Sequence, residues 1–440
     1  MKKIFLSMLC AGVIFSCGKS ETDNDNNGNG NNNGNQTEEP QKPQPAPEEP
    51  DPEPEPEPEP EPSDTPYFSN GFMKGSTMCF ASYEQDLGLV YRENGEEKDP
   101  YASMKEHGAN IVRLQLNFED FSQYTECNGA AIDWATWDRV LADAKRAKAN
   151  GLDIMLTLKP DADIYHEKAD TEHNRVPVAW RSLNETQMGD ELYKWVYGSL
   201  ENLAKEGIFP RVVAVGNEVN VEFLAPVTGY KWDTERHARL LKRGFQAVRD
   251  YAAKYDPNVK SLLHIAGPSE IGWYVGSDMQ KYGCTDFDVV GVSWYPGEGI
   301  GHKMGDGAYS KFSGIVNILK NIGYEFMILE TSYTAIHGRG DDCNNSYNDP
   351  AWGSQNAANT SPARQREWLR SLAAEVKDGG GIGVITWGTE SLPDDGTGVL
   401  YTYPVESWAH GSTWENNSYW DFTDNNNLHE GIDWMLDVAE

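Results

Sequence analysis

The chain has 440 residues, with 37 Lys and Arg against 69 Asp and Glu, a formal net charge of −32. A surface this acidic repels nucleic acid and anionic lipid headgroups, so neither is expected as a partner. The charge is uneven: residues 18–66 hold 14 acidic and two basic residues, while residues 67–440 are net −22, a length that suits one large core or two ordinary domains.

Residues 1–17 read MKKIFLSMLCAGVIFSC. Two lysines lead an apolar run too short to span a bilayer, the pattern of a secretory signal. Ser16, Cys17 and Gly18 resemble a bacterial lipoprotein box, in which Cys17 becomes the acylated N-terminus; an ordinary signal peptide with an incidental cysteine is the alternative. Residues 18–66 follow as an Asn/Gly tract and then a Pro/Glu alternation, with 12 of the 24 prolines between Pro40 and Pro66. Such a segment has nothing to bury and is expected to be a disordered linker. In polyproline II its last 27 residues would reach about 80 Å. After Cys10 and Cys17, the remaining cysteines are Cys79, Cys127, Cys284 and Cys343. They form no Cys-x-x-Cys pair, so no zinc site is expected, and one disulfide of open pairing suits an exported protein.

From Phe68 onward, short β-rich apolar runs alternate with helical patterns. The runs are Phe72–Cys79, Asn110–Leu116, Asp153–Leu158, Val212–Glu218, Leu262–Ala266, Val289–Tyr295, Phe326–Thr331 and Ile382–Trp387. Helices are predicted over Trp134–Ala149, Gln187–Lys205, Glu235–Tyr255, Ser310–Asn321 and Ala363–Lys377. Apolar runs separated by helices imply parallel strands joined by crossovers. Eight such units predict an α/β fold, a (β/α)8 TIM barrel over residues 67–440 as the single catalytic domain. A doubly wound open sheet is the alternative, weakened because no glycine-rich phosphate loop follows any run.

Barrel enzymes place their chemistry where strands end. The fourth run ends VAVGNEVN and the seventh MILETSYT, which puts Glu218 and Glu330 at opposed strand tips. One carboxylate at an apolar strand end can be a salt-bridged residue, but two of them fit the carboxylate pair that glycoside hydrolysis needs. If retaining, the pair should lie about 5–5.5 Å apart.

At these residues the chain resembles glycoside hydrolase family 53, the endo-β-1,4-galactanases. The resemblance runs from GFMKGSTMCFASYEQDLGLVYRENGEEKDPYASMKEHGANIVRLQL through VAVGNEVN, VVGVSWYP, ILETSYT and GIGVITWGTE to WENNSYWDF. It implies Glu218 as acid/base and Glu330 as nucleophile, with Asn217 on the sugar 2-hydroxyl and Arg113 orienting the nucleophile. His264 and Tyr295 would line subsites, Trp387 would floor the reacting sugar, and Trp294 beside Tyr295 is taken as a further substrate-binding residue. Read by themselves, Arg113, His264 and Trp387 are equally compatible with structural roles. The resemblance also implies that no cofactor is required, and that a structural calcium could sit between two loops on Asp341, Asn345, Ser412 and Glu415. Hard oxygen donors suit that ion, although Arg339 and Cys343 stand where ligands are expected. Departures fall on the rim: Gln115 and Asn117 replace an Arg and a Trp, Lys159 a His, and Gly297-Glu298 aromatics.

Trp180, Trp273, Trp294, Trp352 and Trp414 lie in or near predicted loops, where aromatic rings could stack on sugars. The whole predicts a surface-anchored, monomeric bacterial lipoprotein that cleaves β-1,4-galactan side chains of pectin with retention. Its only membrane contact would be the lipid. The alternatives are a two-glutamate barrel acting on mannan or β-glucan, and a non-catalytic glycan-binding lipoprotein.

Overall fold

Eight short runs rich in Val, Ile, Leu and Met close into one parallel barrel in the computed structural model. It describes residues 71–119, 134–161, 175–226, 233–295, 304, 307–341, 345, 360–393, 399–401, 411–412 and 414–439. Cys17, the 18–66 linker, Cys127, Gly297, Glu298, Cys343 and Trp352 lie outside the described residues. The barrel strands are β1 (Met73–Thr77), β2 (Ile111–Asn117), β3 (Asp153–Lys159), β4 (Val212–Val215), β5 (Lys260–Ala266), β6 (Val289–Ser293), β7 (Glu325–Glu330) and β8 (Gly383–Thr386). Each pairs with its sequence neighbours, and β8 pairs β1 from Met73↔Gly383 to Ser76↔Thr386 to close the ring. Among the described residues no helix is long and apolar enough to cross a membrane.

The main crossover helices are α1 (Ala81–Asp86), α2 (Pro100–Glu106), α3 (Trp137–Ala149), α4 (Glu185–Lys205), α5 (Thr234–Lys254), α6 (Phe312–Asn321) and α7 (Pro362–Asp378), with α8 (Trp434–Asp437) at the end of the chain. Their starts follow local chemistry. Asn184 and Gln187 form a reciprocal capping box on α4, and Asp99 caps α2 just before Pro100, so orphan N–H groups are satisfied as the chain turns. Between β5 and β6, where the sequence showed no clear helical pattern, Ile271–Met279 forms a π-helix. Gly272 and Gly276 interrupt its apolar spacing, which explains the missing signal.

Two apolar layers hold the barrel. Outward strand residues pack on the helices. Inward ones, including Met73, Ile111, Met155, Ala214, Leu262, Met327 and Ile385, fill the lower interior. The Lys74 ammonium, next along β1 from inward Met73, donates to the Met435 and Val438 carbonyls at 2.7 Å each and ties the C-terminal segment to the barrel. Cys79 and Cys284 are buried free thiols, so these two do not form the disulfide that export would permit.

Two local departures from ideal strands aim the carboxylates. Strand β4 stops at Val215, three residues short of the expected end at Glu218. Gly216 has φ +81° and Glu218 φ +47°. A Cβ on Gly216 would sit 2.4 Å from Val219 Cγ1, so only glycine fits there. On β7 the register to β6 slips: Val292 faces Ile328, but Ser293 faces Glu330. This bulge skips Leu329 and turns Glu330 inward, where simple alternation would point it outward.

Candidate active site

The upper barrel interior is polar where the lower one is apolar. Alternation along β2 carries Ile111 in the lower layer up to Arg113, and β3 carries Met155 up to Thr157. Arg113 is fully buried and spends its guanidinium on three elements. Its Nε donates to Thr157 Oγ1 at 2.9 Å, Nη1 to Glu330 Oε1 at 2.5 Å and Nη2 to Asn217 Oδ1 at 2.7 Å. That contact fixes the Asn217 amide with its Nδ2 turned away from Arg113.

Glu330 receives two further hydrogen bonds at Oε2, from Ser293 Oγ and Tyr295 OH, each at 3.2 Å. His264 completes the support from β5. Its Nδ1 accepts the Glu218 backbone N–H at 3.3 Å, so the proton sits on Nε2 and donates to Ser293 Oγ at 3.0 Å. Ser293 then donates onward to Glu330. The sequence did not single out Ser293 or Thr157; both carry the parity of an inward residue, Ser293 two before Tyr295 and Thr157 two before Lys159.

One carboxylate oxygen of Glu218, one of Glu330 and a ring nitrogen of His264 all lie within 4.8 Å of one another. Both His264 nitrogens are already engaged and Glu330 holds the Arg113 cation, so this group is a charge-split carboxylate pair rather than a cation cage. Burial alone would raise the Glu330 carboxyl, but Arg113 beside it, with the Arg113 and Ser293 hydrogen bonds, holds it below the usual carboxylate range. Glu218 moves the other way. Burial first and the Glu330 charge second push it up to about 7, against smaller opposing pulls from Ser293, Arg113 and Lys159. One group is therefore ionised while its neighbour keeps a proton, the division of labour for nucleophile and acid.

An aromatic wall borders the pair. Trp387, inward on the β8 face, lies with its ring 5.7 Å from the Arg113 guanidinium. Phe80 packs between it and Trp134, with centroid distances of 6.1 and 4.8 Å. Tyr295 tilts against Trp414 at 5.7 Å. Phe80 and Trp134 were not foreseen, since neither ends a strand. The rim over β2 and β3 is polar: Gln115 and Asn117 continue the inward face of β2, Lys159 that of β3, and Gln115 Nε2 donates to Asn117 Oδ1 at 3.0 Å.

Three expectations change here. Trp294 does not line the site: it alternates outward from Ser293 and Tyr295, stacking on Trp368 at 5.6 Å and edge-on to Phe312. His264 is fully enclosed and supports the carboxylates from behind rather than forming a subsite wall. Trp180 is buried against Phe118 at 4.5 Å and is packing. Trp273 is half-buried, with its indole N–H donated to Glu270.

The four oxygen-bearing residues of the two distal loops do come together. Asp341 Oδ2 accepts the Ser412 N–H at 2.7 Å, Glu415 Oε1 the Gly340 N–H at 3.3 Å, and Asn345 Nδ2 donates to the Gly338 carbonyl at 3.1 Å. Asn345 Oδ1 and Glu415 Oε2 are buried with no hydrogen-bond partner. Burial and then the Asp341 charge push the Glu415 carboxyl up to about 9. Orphaned buried oxygens beside two carboxylates are the donor set of a hard cation.

A model described as "Glycosyl hydrolase family 53" matches residues 73–434. The chain is 29% identical over 364 residues to an arabinogalactan endo-β-1,4-galactanase of Cellvibrio japonicus, covering 81% of this chain and 88% of that one. It is 25% identical to an endo-β-1,4-galactanase of Bacillus subtilis, covering 80% and 82%. Among solved structures, the Ignisphaera aggregans GH53 catalytic domain superposes with a TM-score of 0.66 at 24% identity, covering 86% of this chain and 99% of that one.

Proposed function

The chain belongs to glycosyl hydrolase family 53, and from that premise we propose that it is an endo-β-1,4-galactanase working by double displacement across Glu218 and Glu330. Glu330 attacks the anomeric carbon as the glycosidic C–O bond breaks, and Glu218 gives its proton to the leaving oxygen. Water then enters on the same side. Glu218 takes its proton, the oxygen bonds to the anomeric carbon, and the Glu330 carboxylate leaves. Arg113, Ser293 and Tyr295 keep Glu330 charged and oriented throughout. Asn217 Nδ2 is set to donate to the sugar 2-hydroxyl, and Trp387 offers a face beneath the ring.

The observation that carries this reading is two carboxylates within 4.8 Å whose surroundings drive their protonation apart. A reducing-end assay on galactan, mannan and β-glucan tests it. Galactan should be cut into internal fragments; preference for either other polymer would replace the substrate.

Two further parts of the reading rest on narrower support. Calcium would be held by Asp341, Asn345, Ser412 and Glu415, neutralising the carboxylates and pinning the loops after β7 and β8 together. Metal analysis after dialysis should find one ion per chain, and chelator should lower the melting temperature; no metal and no shift would remove it. The lipid anchor rests on Ser16, Cys17 and Gly18 after the apolar leader, with the Pro/Glu stretch as spacer. Cys17→Ala should release the protein from the membrane fraction, and unchanged retention would end the lipoprotein reading.

A further inference from the structure

Strand β4 ends early, and its neighbour does not. The ladder between β4 and β5 is regular from Val212↔Lys260 to Ala214↔Leu262, yet β5 runs on to Ala266. The backbone groups of His264 and Ala266 that face β4 have thus lost a strand to pair with, and buried backbone rarely goes unpaired. The turn that carries Glu218 takes the place of the missing strand. Val219 N donates to the His264 carbonyl at 3.0 Å. At Ala266 a side chain replaces two ladder bonds. Asn220 Nδ2 donates to the Ala266 carbonyl at 3.0 Å, and Asn220 Oδ1 accepts the Ala266 N–H at 2.6 Å. Asn220 is 3% exposed. A carboxamide offers a donor and an acceptor side by side at this reach; an ionised Asp has no donor, and Gln is a methylene too long.

The turn needs such a clamp. Glu218 sits at φ +47° and Leu224 at φ +48°, a region that is costly for any residue with a Cβ and persists only where the surroundings over-determine it. Tyr274, on the π-helix, donates its hydroxyl to the Val219 carbonyl at 3.2 Å. Asp161 Oδ1 accepts the Leu224 N–H at 2.5 Å. Asn220 stands two residues beyond the acid, and its anchor is the strand that also carries His264. That imidazole accepts the Glu218 N–H and reaches Glu330 through Ser293. Strand β5 is therefore a common strut: Glu330 is braced on it through His264 and Ser293, and Glu218 through the turn bonded to His264 and Ala266.

We infer that Asn220 is a positioning residue for the acid/base. Its carboxamide splints the strained turn to β5 and so fixes where the Glu218 carboxyl stands relative to Glu330 and the leaving oxygen. The inference deepens the double displacement proposed above and rests on Glu218 being its acid.

Asn220→Ala in the full chain tests this on galactan and on an aryl galactoside with a good leaving group. On galactan kcat should fall about 10- to 100-fold with KM within about twofold of the parent, since a displaced acid is felt only in the transition state. The aryl substrate needs no proton and should lose about threefold or less. The alkaline limb of kcat/KM, which Glu218 sets near 7, should move to lower pH, because a loosened turn admits water to a carboxyl that burial had raised. Asn220→Leu keeps a branched side chain in the space and makes neither hydrogen bond. It should show the same split, and it carries the test if Asn220→Ala does not fold. Equal loss on both substrates, an alkaline limb that stays in place, or unchanged activity would overturn the positioning role. Failure of both variants to fold would make the clamp a structural one and overturn it too. The same split on mannan or β-glucan, with galactan left uncut by the unaltered chain, would overturn the galactanase reading and leave the role of Asn220 standing.

Discussion

Two layers of the barrel interior, separated by only two residues along each strand, are built on opposite principles. The lower layer is wholly apolar, with Ile111, Met155 and Leu262 at its centre. The layer above puts Arg113, Thr157 and His264 on the same three strands, with Glu330 and Ser293 facing them. Burial of the lower set is favourable without any partner. Burial of the upper set is costly and is offset only by a closed network of charge and hydrogen bonds. The lower layer therefore carries stability, and the upper layer holds a pair of carboxylates out of their ordinary protonation balance.

The contrast breaks most completely at Glu330. Glu330→Gln should abolish galactan turnover while the protein still melts cooperatively, because the amide still accepts from Arg113. Glu218→Ala should lower kcat on galactan by about 10²- to 10⁴-fold, and far less on an aryl galactoside whose leaving group needs no proton. Equal loss on both substrates would exchange or remove the assigned role.

In the lower layer the sign reverses. Met155→Ala should cost about 2–5 kcal/mol of stability in a denaturant titration. Its kcat/KM well below the melting temperature should stay within about twofold of the parent. A large catalytic loss there would mean that the plug also shapes the site.

The smallest expected effect is a shape. Activity needs Glu330 ionised and Glu218 protonated, so the rate should fall on the acid side only below the usual carboxylate range, because Arg113 keeps Glu330 ionised there. On the alkaline side it should fall through about 7, where Glu218 loses its own. An alkaline limb near 4.5 would show that Glu218 is not held protonated by its surroundings.

The barrel and the two glutamates were legible because their signals are local: eight β-rich runs, and carboxylates where such runs end. What was not legible depends on a single residue of slip. Strict alternation points Glu330 outward, and the bulge at Leu329 that corrects it leaves no mark in the run EFMILE. Glu218 was read as a strand residue, whereas the left-handed turn at Gly216 and Glu218 lifts it off β4. Trp294 was placed with the sugar contacts as one of the aromatics in or near predicted loops, yet alternation sends it outward to Trp368. Ser293 shows only the inward parity it shares with Tyr295, and Phe80 shows nothing, since their roles come from partners 37 and 54 residues away in sequence. Asp341, Asn345, Ser412 and Glu415 were found together because the family pattern, and not periodicity, pointed to them.

The central claim is that Glu330 bonds to the sugar while Glu218 alternates between acid and base. The most direct measurement is proton NMR of a galactan oligosaccharide during the first minutes of cleavage, before mutarotation mixes the anomers. Double displacement predicts that the β-anomer appears first and the α-anomer grows in later. An α-anomer released first would contradict the account, because water would then have attacked directly and the carboxylates within 4.8 Å would need other roles.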